Sequence, residues 1–229
     1  MDNGYLSMEK AYSICRDIAH ADEWDNFIDL SPYSKADPKA IELISTQGHR
    51  GGVIFGLMEL NIQIAMIIAN WGGITIFTNL AHLSREIAAL FSANHIVLAI
   101  EGLLEIDAGL ACELAKNGNH LSLSCSRDLT PEAARELSKH KRELIIKLLV
   151  QPHIDVQRVL LYAYEGMYIS LTFPSEKDLS IDLFYVNWRK EIKVYSNLDD
   201  SGQWWMTISA KSLPIEDFAG LDFNDFDPS

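Results

Sequence analysis

The sequence predicts an α/β fold in which about five strand–turn–helix units build a parallel sheet and a small antiparallel β meander follows. Apolar pairs recur every 23 to 24 residues through the first two thirds of the chain. An apolar stripe at four-residue steps follows each pair, and a side chain able to cap a helix precedes each stripe. From Val159 the apolar period shortens to two, which is typical of half-buried strands.

Each predicted unit opens with a strand whose two apolar residues point to the same face, because successive strand residues alternate between faces. We expect this face to pack against the helices. The pairs are Ile28/Leu30, Gly52/Ile54, Thr75/Phe77, Leu98/Ile100, Leu121/Leu123 and, in a last half-unit, Leu144/Ile146.

A helix then follows in each unit. The stripes are Ala40/Ile44, Ile64/Ile68, Ile87/Phe91, Leu110/Leu114 and Ala133/Leu137. The predicted N-caps are Asp37, Asn61, Ser84, Asp107 and Thr130. Pro38 and Pro131 fall at the first helical position, where a missing amide costs nothing. Left-handed residues are expected after the helices at Gly48, Gly72, Gly73, Asn94, Asn117 and Gly118.

The ends of the chain differ from the repeats. We expect four regions: an N-terminal capping helix in residues 1–26, the stack in 27–149, an antiparallel β cap in 150–213 and an acidic, aromatic tail in 214–229. The strands predicted for the β cap span 159–164, 167–173, 179–186, 191–195 and 203–209.

The units resemble the leucine-rich repeat family, in particular its bacterial variants. The resemblance covers roughly residues 27–147 and is carried by units such as Leu121-Ser-Leu123 followed by the apolar positions from Leu129 to Leu137. It implies a solenoid with a curved parallel sheet and an outer layer of helices. Family members commonly carry an asparagine five residues after the first strand leucine, and this chain does not. It has Tyr33, Leu57, Leu80, Leu103 and Ser126 there, so an asparagine ladder is not expected.

Charge points to a class of partner. The chain has 19 lysines and arginines against 32 acidic residues, a net charge of -13. Such a surface repels phosphate and favours cationic partners, so we expect no nucleic acid and a protein partner with a basic surface. No membrane contact is expected either, since Glu59, Asn61 and Gln63 interrupt the apolar stretch at 51–69. The N-terminus shows no secretion signal, and the odd set of Cys15, Cys112 and Cys125 favours a reducing cytoplasm.

The strand residues that point away from the helices are the first candidate site. In the predicted register three neighbouring units present only apolar side chains, with a polar rim beside them. The anchors are Val53, Phe55, Ile74, Ile76 and Val97, and the rim is Glu101, His120 and Ser124. Two interpretations stay open: a partner binds this face, or the β cap or the N-terminal helix folds over it.

The tail is the second candidate. Its acidic residues Glu216, Asp217, Asp222, Asp225 and Asp227 interleave with Phe218, Phe223 and Phe226. It either hooks a basic groove or is a solvated chain end.

Catalytic motifs are not found, and the seven histidines share no metal-ligand spacing, so we expect no enzyme, no metal and no cofactor. The resulting hypothesis is a non-catalytic protein–protein interaction module. Its narrower form is an acidic inhibitor or immunity-type protein for a basic partner. The alternative is an enzyme or ligand-binding subunit with an aromatic pocket of Tyr185, Trp188, Trp204 and Trp205.

Overall fold

Strands and helices alternate along most of the chain. A computed structural model describes residues 4–20, 27–46, 51–164, 166–175, 190–201 and 203–212. The strands are β1 (Tyr5–Leu6), β2 (Phe27–Leu30), β3 (Lys35–Ala36), β4 (Gly52–Phe55), β5 (Ile74–Phe77), β6 (Val97–Leu103), β7 (Leu121–Cys125), β8 (Glu143–Leu148), β9 (Tyr168–Pro174), β10 (Lys190–Leu198) and β11 (Trp204–Ser212). The helices are α1 (Met8–His20), α2 (Pro38–Ser45), α3 (Ile62–Ala69), α4 (Arg85–Ala93), α5 (Ala108–Ala115), α6 (Pro131–Leu137) and α7 (Ile154–Ala163). The predicted α/β class is confirmed.

A mostly parallel sheet forms one layer of the protein. Its nine strands lie in the order β10-β11-β9-β8-β7-β6-β5-β4-β2 within the described residues. Neighbours are parallel from β2 to β9, whereas β11 is antiparallel to β9 and β10 to β11. Each helix packs against the next helix in chain order, from α1 to α7. The helices therefore form a second layer on one face of the sheet.

The predicted inward residues occupy the interface between these layers in β2 and from β5 onwards. Phe77, Leu98 and Leu144 are fully buried, and the other members of the predicted pairs in these strands are buried to a similar extent. Leu98 pairs with Leu121 in the register of the sheet, and Leu121 pairs with Leu144. Each unit thus covers apolar surface of its neighbours, which is the main stabilising contribution in this arrangement.

The predicted register of the second unit is wrong by one residue. Val53, not Gly52, pairs with Ile28 and Thr75 and faces the helices. The spacing explains the error, because 25 residues separate Ile28 from Val53 and 22 separate Val53 from Thr75. Gly52 lies on the other face, where a methyl group in its place would overlap the ring of Phe27. Glycine at this position leaves room for that ring.

All five predicted helix caps are confirmed. In each, a side-chain oxygen of the cap accepts a hydrogen bond from an amide of the first turn. The acceptor and donor residues are Asp37 and Lys39 at 2.9 Å, Asn61 and Ile64 at 2.9 Å, Ser84 and Ile87 at 3.2 Å, Asp107 and Leu110 at 2.7 Å, and Thr130 and Ala133 at 3.2 Å. Pro38 and Pro131 open α2 and α6, as predicted.

The predicted left-handed residues are confirmed only in part. Gly72 and Gly73 have φ values of 73° and 91°. Asn94 instead has a φ of -94°, and the left-handed residue is its neighbour His95 at 50°. The side chain of Asn94 donates to the carbonyl of Leu90 at 2.9 Å, so it caps the helix without a left-handed turn. Gly48 lies outside the described residues.

Asn117 has a different role from the one predicted, and neither it nor Gly118 has a positive φ. Its buried side chain donates to the carbonyl of Ile96 at 2.9 Å. It also accepts from the amide of Asn119 at 2.9 Å. Asn117 therefore ties the turn after α5 to the neighbouring unit.

Backbone hydrogen bonds continue past the ends of the strands. The amide of Thr78 donates to the carbonyl of Phe55, and the amide of Ser126 donates to the carbonyl of Leu103, both at 2.9 Å. The amide of Leu149 donates to the carbonyl of Cys125 at the same distance. These bonds tie each of the three turns to the preceding unit through main-chain groups.

The strand predicted at 159–164 is wrong, because residues 159–163 belong to α7 and Tyr164 is its C-cap. Val156, Leu160 and Leu161 are buried, which is helical spacing against the sheet. A short apolar run does not distinguish a strand from a buried helix, and the run at 159–162 is of this kind. The repeating pattern therefore extends by one more helix and strand, since β9 pairs in parallel with β8.

The strands predicted at 167–173, 191–195 and 203–209 are confirmed as β9, β10 and β11. The segment 179–186 and the tail 214–229 lie outside the described residues. The sheet continues across the predicted boundary at 149/150, since β9, β11 and β10 extend the edge formed by β8. None of the helices in the described part is long and apolar enough to cross a membrane.

Candidate partner-binding face

The sheet surface opposite the helices is the candidate site, and we call it the open face. Its N-terminal half presents a group of apolar side chains, the apolar centre: Phe27, Ile54, Ile74, Ile76 and Val97. Phe27 is 45% exposed and Ile74 39%, and the other three are half-buried. Register pairing places Ile54 beside Ile76 and Ile74 beside Val97, so the group is contiguous.

Two predicted anchors do not belong to this face. Val53 and Phe55 are 3% and 1% exposed and lie on the helix side of β4. The ring of Phe55 stacks on Phe77, with 5.4 Å between centroids, and meets Trp71 edge-on at 5.9 Å. Their prediction as partner-binding residues follows from the register error in β4, and Ile54 takes their place. The only sequence signal for this shift was the glycine at position 52.

The remaining predicted residues of the sheet do share the open face. Ile74, Ile76 and Val97 form part of the apolar centre. Glu101 is exposed and follows the outward alternation of β6, and His120 lies where the chain enters β7. The predicted tail residues Glu216, Asp217, Asp222 and Asp225 lie outside the described residues.

The described strands and helices do not cover the open face. The C-terminal strands join the edge of the sheet and extend the face. The N-terminal helix α1 packs against α2 in the helical layer. Among the described residues, neither the C-terminal strands nor α1 therefore folds over the open face. That covering was one of the two interpretations that the sequence allows.

Carboxylates surround the apolar centre. Asp29 precedes the turn after β2, and its Oδ1 accepts from the amide of Ser31 at 2.8 Å. Glu101 is exposed on β6. Glu143 Oε2 lies 2.9 Å from Nδ1 of His120, and both side chains are partly exposed. This pairing orients the imidazole, and Glu143 lies on β8, two strands from Val97 at the end of the apolar centre.

Basic and hydroxyl side chains occupy the C-terminal half of the same face, which the sequence assigned to a separate region. Lys147 Nζ lies 5.0 Å from the centroid of the Trp205 ring, a cation–π arrangement. The hydroxyls of Thr172 and Thr207 are 3.0 Å apart. The open face is thus apolar and acidic towards β2 and polar towards β10.

The hairpin between β10 and β11 fixes the edge of this half. Asp199 accepts from the hydroxyl and amide of Ser201 at 2.6 and 3.0 Å, and from the amide of Gln203 at 2.9 Å. Its Oδ2 accepts from Nε1 of Trp205 at 2.7 Å. These bonds, that from the Ser201 hydroxyl foremost, lower the pKa of Asp199 to about 2. The indole of Trp205 is therefore positioned by two contacts, the hydrogen bond from its Nε1 to Asp199 and the ammonium of Lys147 over its ring.

The aromatic pocket considered as an alternative has two described members. Trp204 and Trp205 are consecutive residues of β11 and so point to opposite faces of the sheet. They cannot line one pocket together. Tyr185 and Trp188 lie outside the described residues.

Comparison with known proteins does not name a family for this chain. No protein-family model matches it, and no curated protein or solved structure matches it significantly.

Proposed function

We propose that the protein is a non-catalytic binding module whose open face docks another protein with a basic surface. The observation that carries this proposal is the contiguous, partly exposed apolar centre, with Asp29 and Glu101 on its own strands and Glu143 two strands beyond Val97. Protein interfaces commonly combine an apolar core with a polar rim. The carboxylates on this rim select cationic side chains around an apolar anchor.

The available surface supports a modest contribution from each anchor. Full burial of a phenylalanine or isoleucine contributes about 1.5–3 kcal/mol. Phe27 and Ile74 retain between a third and a half of their exposure, so covering the remainder contributes about 1 kcal/mol each. Specificity and rapid association come from the charges, because opposite charges steer encounter.

The finer architecture is part of the proposal. We infer an array of the leucine-rich-repeat type, with the open face as its inner surface. Capped helices and register-matched parallel strands at spacings of 22 to 25 residues support it. The narrower function is that of an inhibitor or immunity-type protein, which the net charge of -13 supports. The free thiols of Cys15, Cys112 and Cys125 support a cytoplasmic setting.

The test is a pull-down from the source cell with the full chain and two matched variants. Ile74→Glu adds a charge to the apolar centre, whereas Met66→Glu adds the same charge to an exposed position on α3, in the helical layer. We expect a cationic protein to be captured by the wild type and by Met66→Glu, and to be lost with Ile74→Glu. Capture should also weaken as salt is raised.

Two results contradict the proposal. One is a partner that is captured equally by Ile74→Glu and by the wild type. The other is capture that does not respond to ionic strength, which would indicate recognition without charge. Thermal unfolding of both variants, with similar midpoints, excludes loss of the fold as the cause of a negative result.

A further inference from the structure

The side of α3 that faces away from the sheet carries exposed apolar side chains. Ile62 is 42% exposed and Met66 is 53% exposed, and the two lie one helical turn apart on the same side of the helix. A surface helix usually buries one apolar side and presents polar residues on the other. The helix α3 departs from this pattern, because its buried side is apolar as well. The buried residues are Ile64, Ala65, Ile68 and Ala69.

The outer side of α3 also lacks charge. Each of the other helices that the structure describes contains at least one charged residue, whereas α3 contains none. The exposed polar side chains on and beside α3 are the amides of Asn61, Gln63 and Asn70. In a chain with a net charge of -13, this side of α3 is therefore a neutral area within an acidic surface.

The apolar area continues onto α4, which packs beside α3. Ala89 is partly exposed and Ala93 is exposed. Met66 follows the α3 cap by the same number of residues as Ala89 follows the α4 cap, so the two lie at the same height on neighbouring helices. A long side chain on α3 thus stands beside a short one on α4. We call this area, with its ridge on α3 and its hollow on α4, the outer α3–α4 surface.

A second copy of the chain has the chemistry that fits this surface. Two-fold symmetry brings the same area to both sides of a contact, so the ridge of each copy can enter the hollow of the other. Side-chain amides both donate and accept hydrogen bonds, and so they can pair with the same amides of a second copy. Two acidic copies repel where charged surfaces meet, but α3 brings no charge to the contact. A basic protein finds no carboxylate on α3, and an anionic lipid surface finds no cation there.

The size of the surface indicates a weak association. The two helices have eight and nine residues, which makes them about 12–14 Å long. Packed helices lie about 8–10 Å apart, so the outer side of the pair covers roughly 250 Å² in projection. A stable interface buries about 800 Å² from each partner. We therefore expect a dimer that forms at high concentration and dissociates on dilution.

We propose that the protein forms a two-fold dimer through the outer α3–α4 surface. Ile62 and Met66 of each copy pack on Ala89 and Ala93 of the other. The open face lies on the opposite side of the sheet from the helices, so the dimer presents two open faces to the solvent. This inference does not rest on the function proposed for the open face.

The test is sedimentation equilibrium of the full chain from micromolar to millimolar concentration. We expect the average mass to rise from that of one chain towards that of two. Met66→Glu should weaken the association roughly tenfold or more, because it buries a carboxylate without a partner. Ala89→Gln fills the hollow without adding charge and should weaken it too. Ile74→Glu adds the same charge on the opposite side of the sheet and should leave the association unchanged.

Salt separates this contact from the one proposed for the open face. Raising the salt from about 0.02 M to about 0.3 M should strengthen the dimer several-fold, since it screens the repulsion between two acidic copies. Capture of a basic partner by the open face should weaken over the same range. A dimer that dissociates as salt is raised would be held by opposite charges, and the inference would then be wrong.

Four further outcomes overturn the inference: a single chain at every concentration, a mass that grows beyond two chains, a dimer that persists in Met66→Glu, or a dimer that Ile74→Glu abolishes. Far-UV circular dichroism and thermal unfolding of each variant verify the fold. The pull-down reads the capture of a cationic protein and the sedimentation reads the mass of the chain alone, so the two proposals fail independently.

Discussion

A pair of charge substitutions on opposite faces of the sheet gives the sharpest test of the architecture. Leu98 on β6 is fully buried against the helices, whereas Ile76 on the adjacent strand β5 is half-buried on the open face. Leu98→Asp removes an apolar contribution of about 1.5–3 kcal/mol. It also places a carboxylate in the core, which costs several kcal/mol more after relaxation. The total is comparable with the whole stability of a typical domain, about 5–15 kcal/mol.

Ile76→Asp should cost far less. The side chain is partly exposed, so the carboxylate remains hydrated, and the loss is about 1–2 kcal/mol from partial burial and strand propensity. Urea unfolding followed by circular dichroism measures both variants. We expect Ile76→Asp to fold and to unfold cooperatively at a lower midpoint, and Leu98→Asp to be unfolded without denaturant. If Ile76→Asp is as damaging as Leu98→Asp, the open face is covered in the folded protein and the proposed docking surface is lost.

Two further predictions concern stability. Burial lowers the pKa of His140, whose ring is fully buried and whose Nδ1 lies 3.3 Å from the carbonyl of Ala115. In the unfolded chain the imidazole takes up a proton once the pH falls below its ordinary pKa of 6.5, whereas in the folded protein it stays neutral to lower pH. The free energy of unfolding is therefore highest above pH 6.5. Below that pH it decreases by up to about 1.4 kcal/mol per pH unit. His140→Leu should flatten this slope in urea unfolding at a series of acidic pH values, and an unchanged slope would assign it to other groups. Asn61→Ala should lower the free energy of unfolding by about 1 kcal/mol through loss of the α3 cap, whereas the same change at exposed Asn70 should cost less, and equal losses would argue against the cap.

Local chemistry made much of the fold predictable. The caps at Asp37 and Thr130 depend on side chains that act within three residues, so the sequence displays them directly. The apolar strand pairs that contain Leu98 and Leu121 recur at a constant spacing, so the sequence reveals the period of the repeat. Where the spacing changed, the prediction failed. Around Gly52 every neighbour is apolar, so the alternation cannot tell the two faces apart, and only contact with Phe27 decides.

The candidate site was predictable to the extent that the register was. Ile74, Ile76 and Val97 were placed correctly on one face, because their strands follow the regular spacing. The C-terminal half of the face does not follow from the sequence, since the apolar run at 159–162 is compatible with a strand or a helix and its period of two predicts a strand. With α7 in its place, β9 becomes another parallel strand and brings Thr172 next to the chain of Lys147.

The turn amides that bond to the preceding unit have a consequence for how this chain can evolve. Main-chain groups are common to all residues, so the amide bonds at Thr78, Ser126 and Leu149 form whatever side chain stands there. The hydroxyls of Thr78 and Ser126 add a second bond each, to the carbonyls of Phe55 and Leu104. A substitution at Thr78 or Ser126 therefore removes the hydroxyl bond but keeps the main-chain bond that joins the two units.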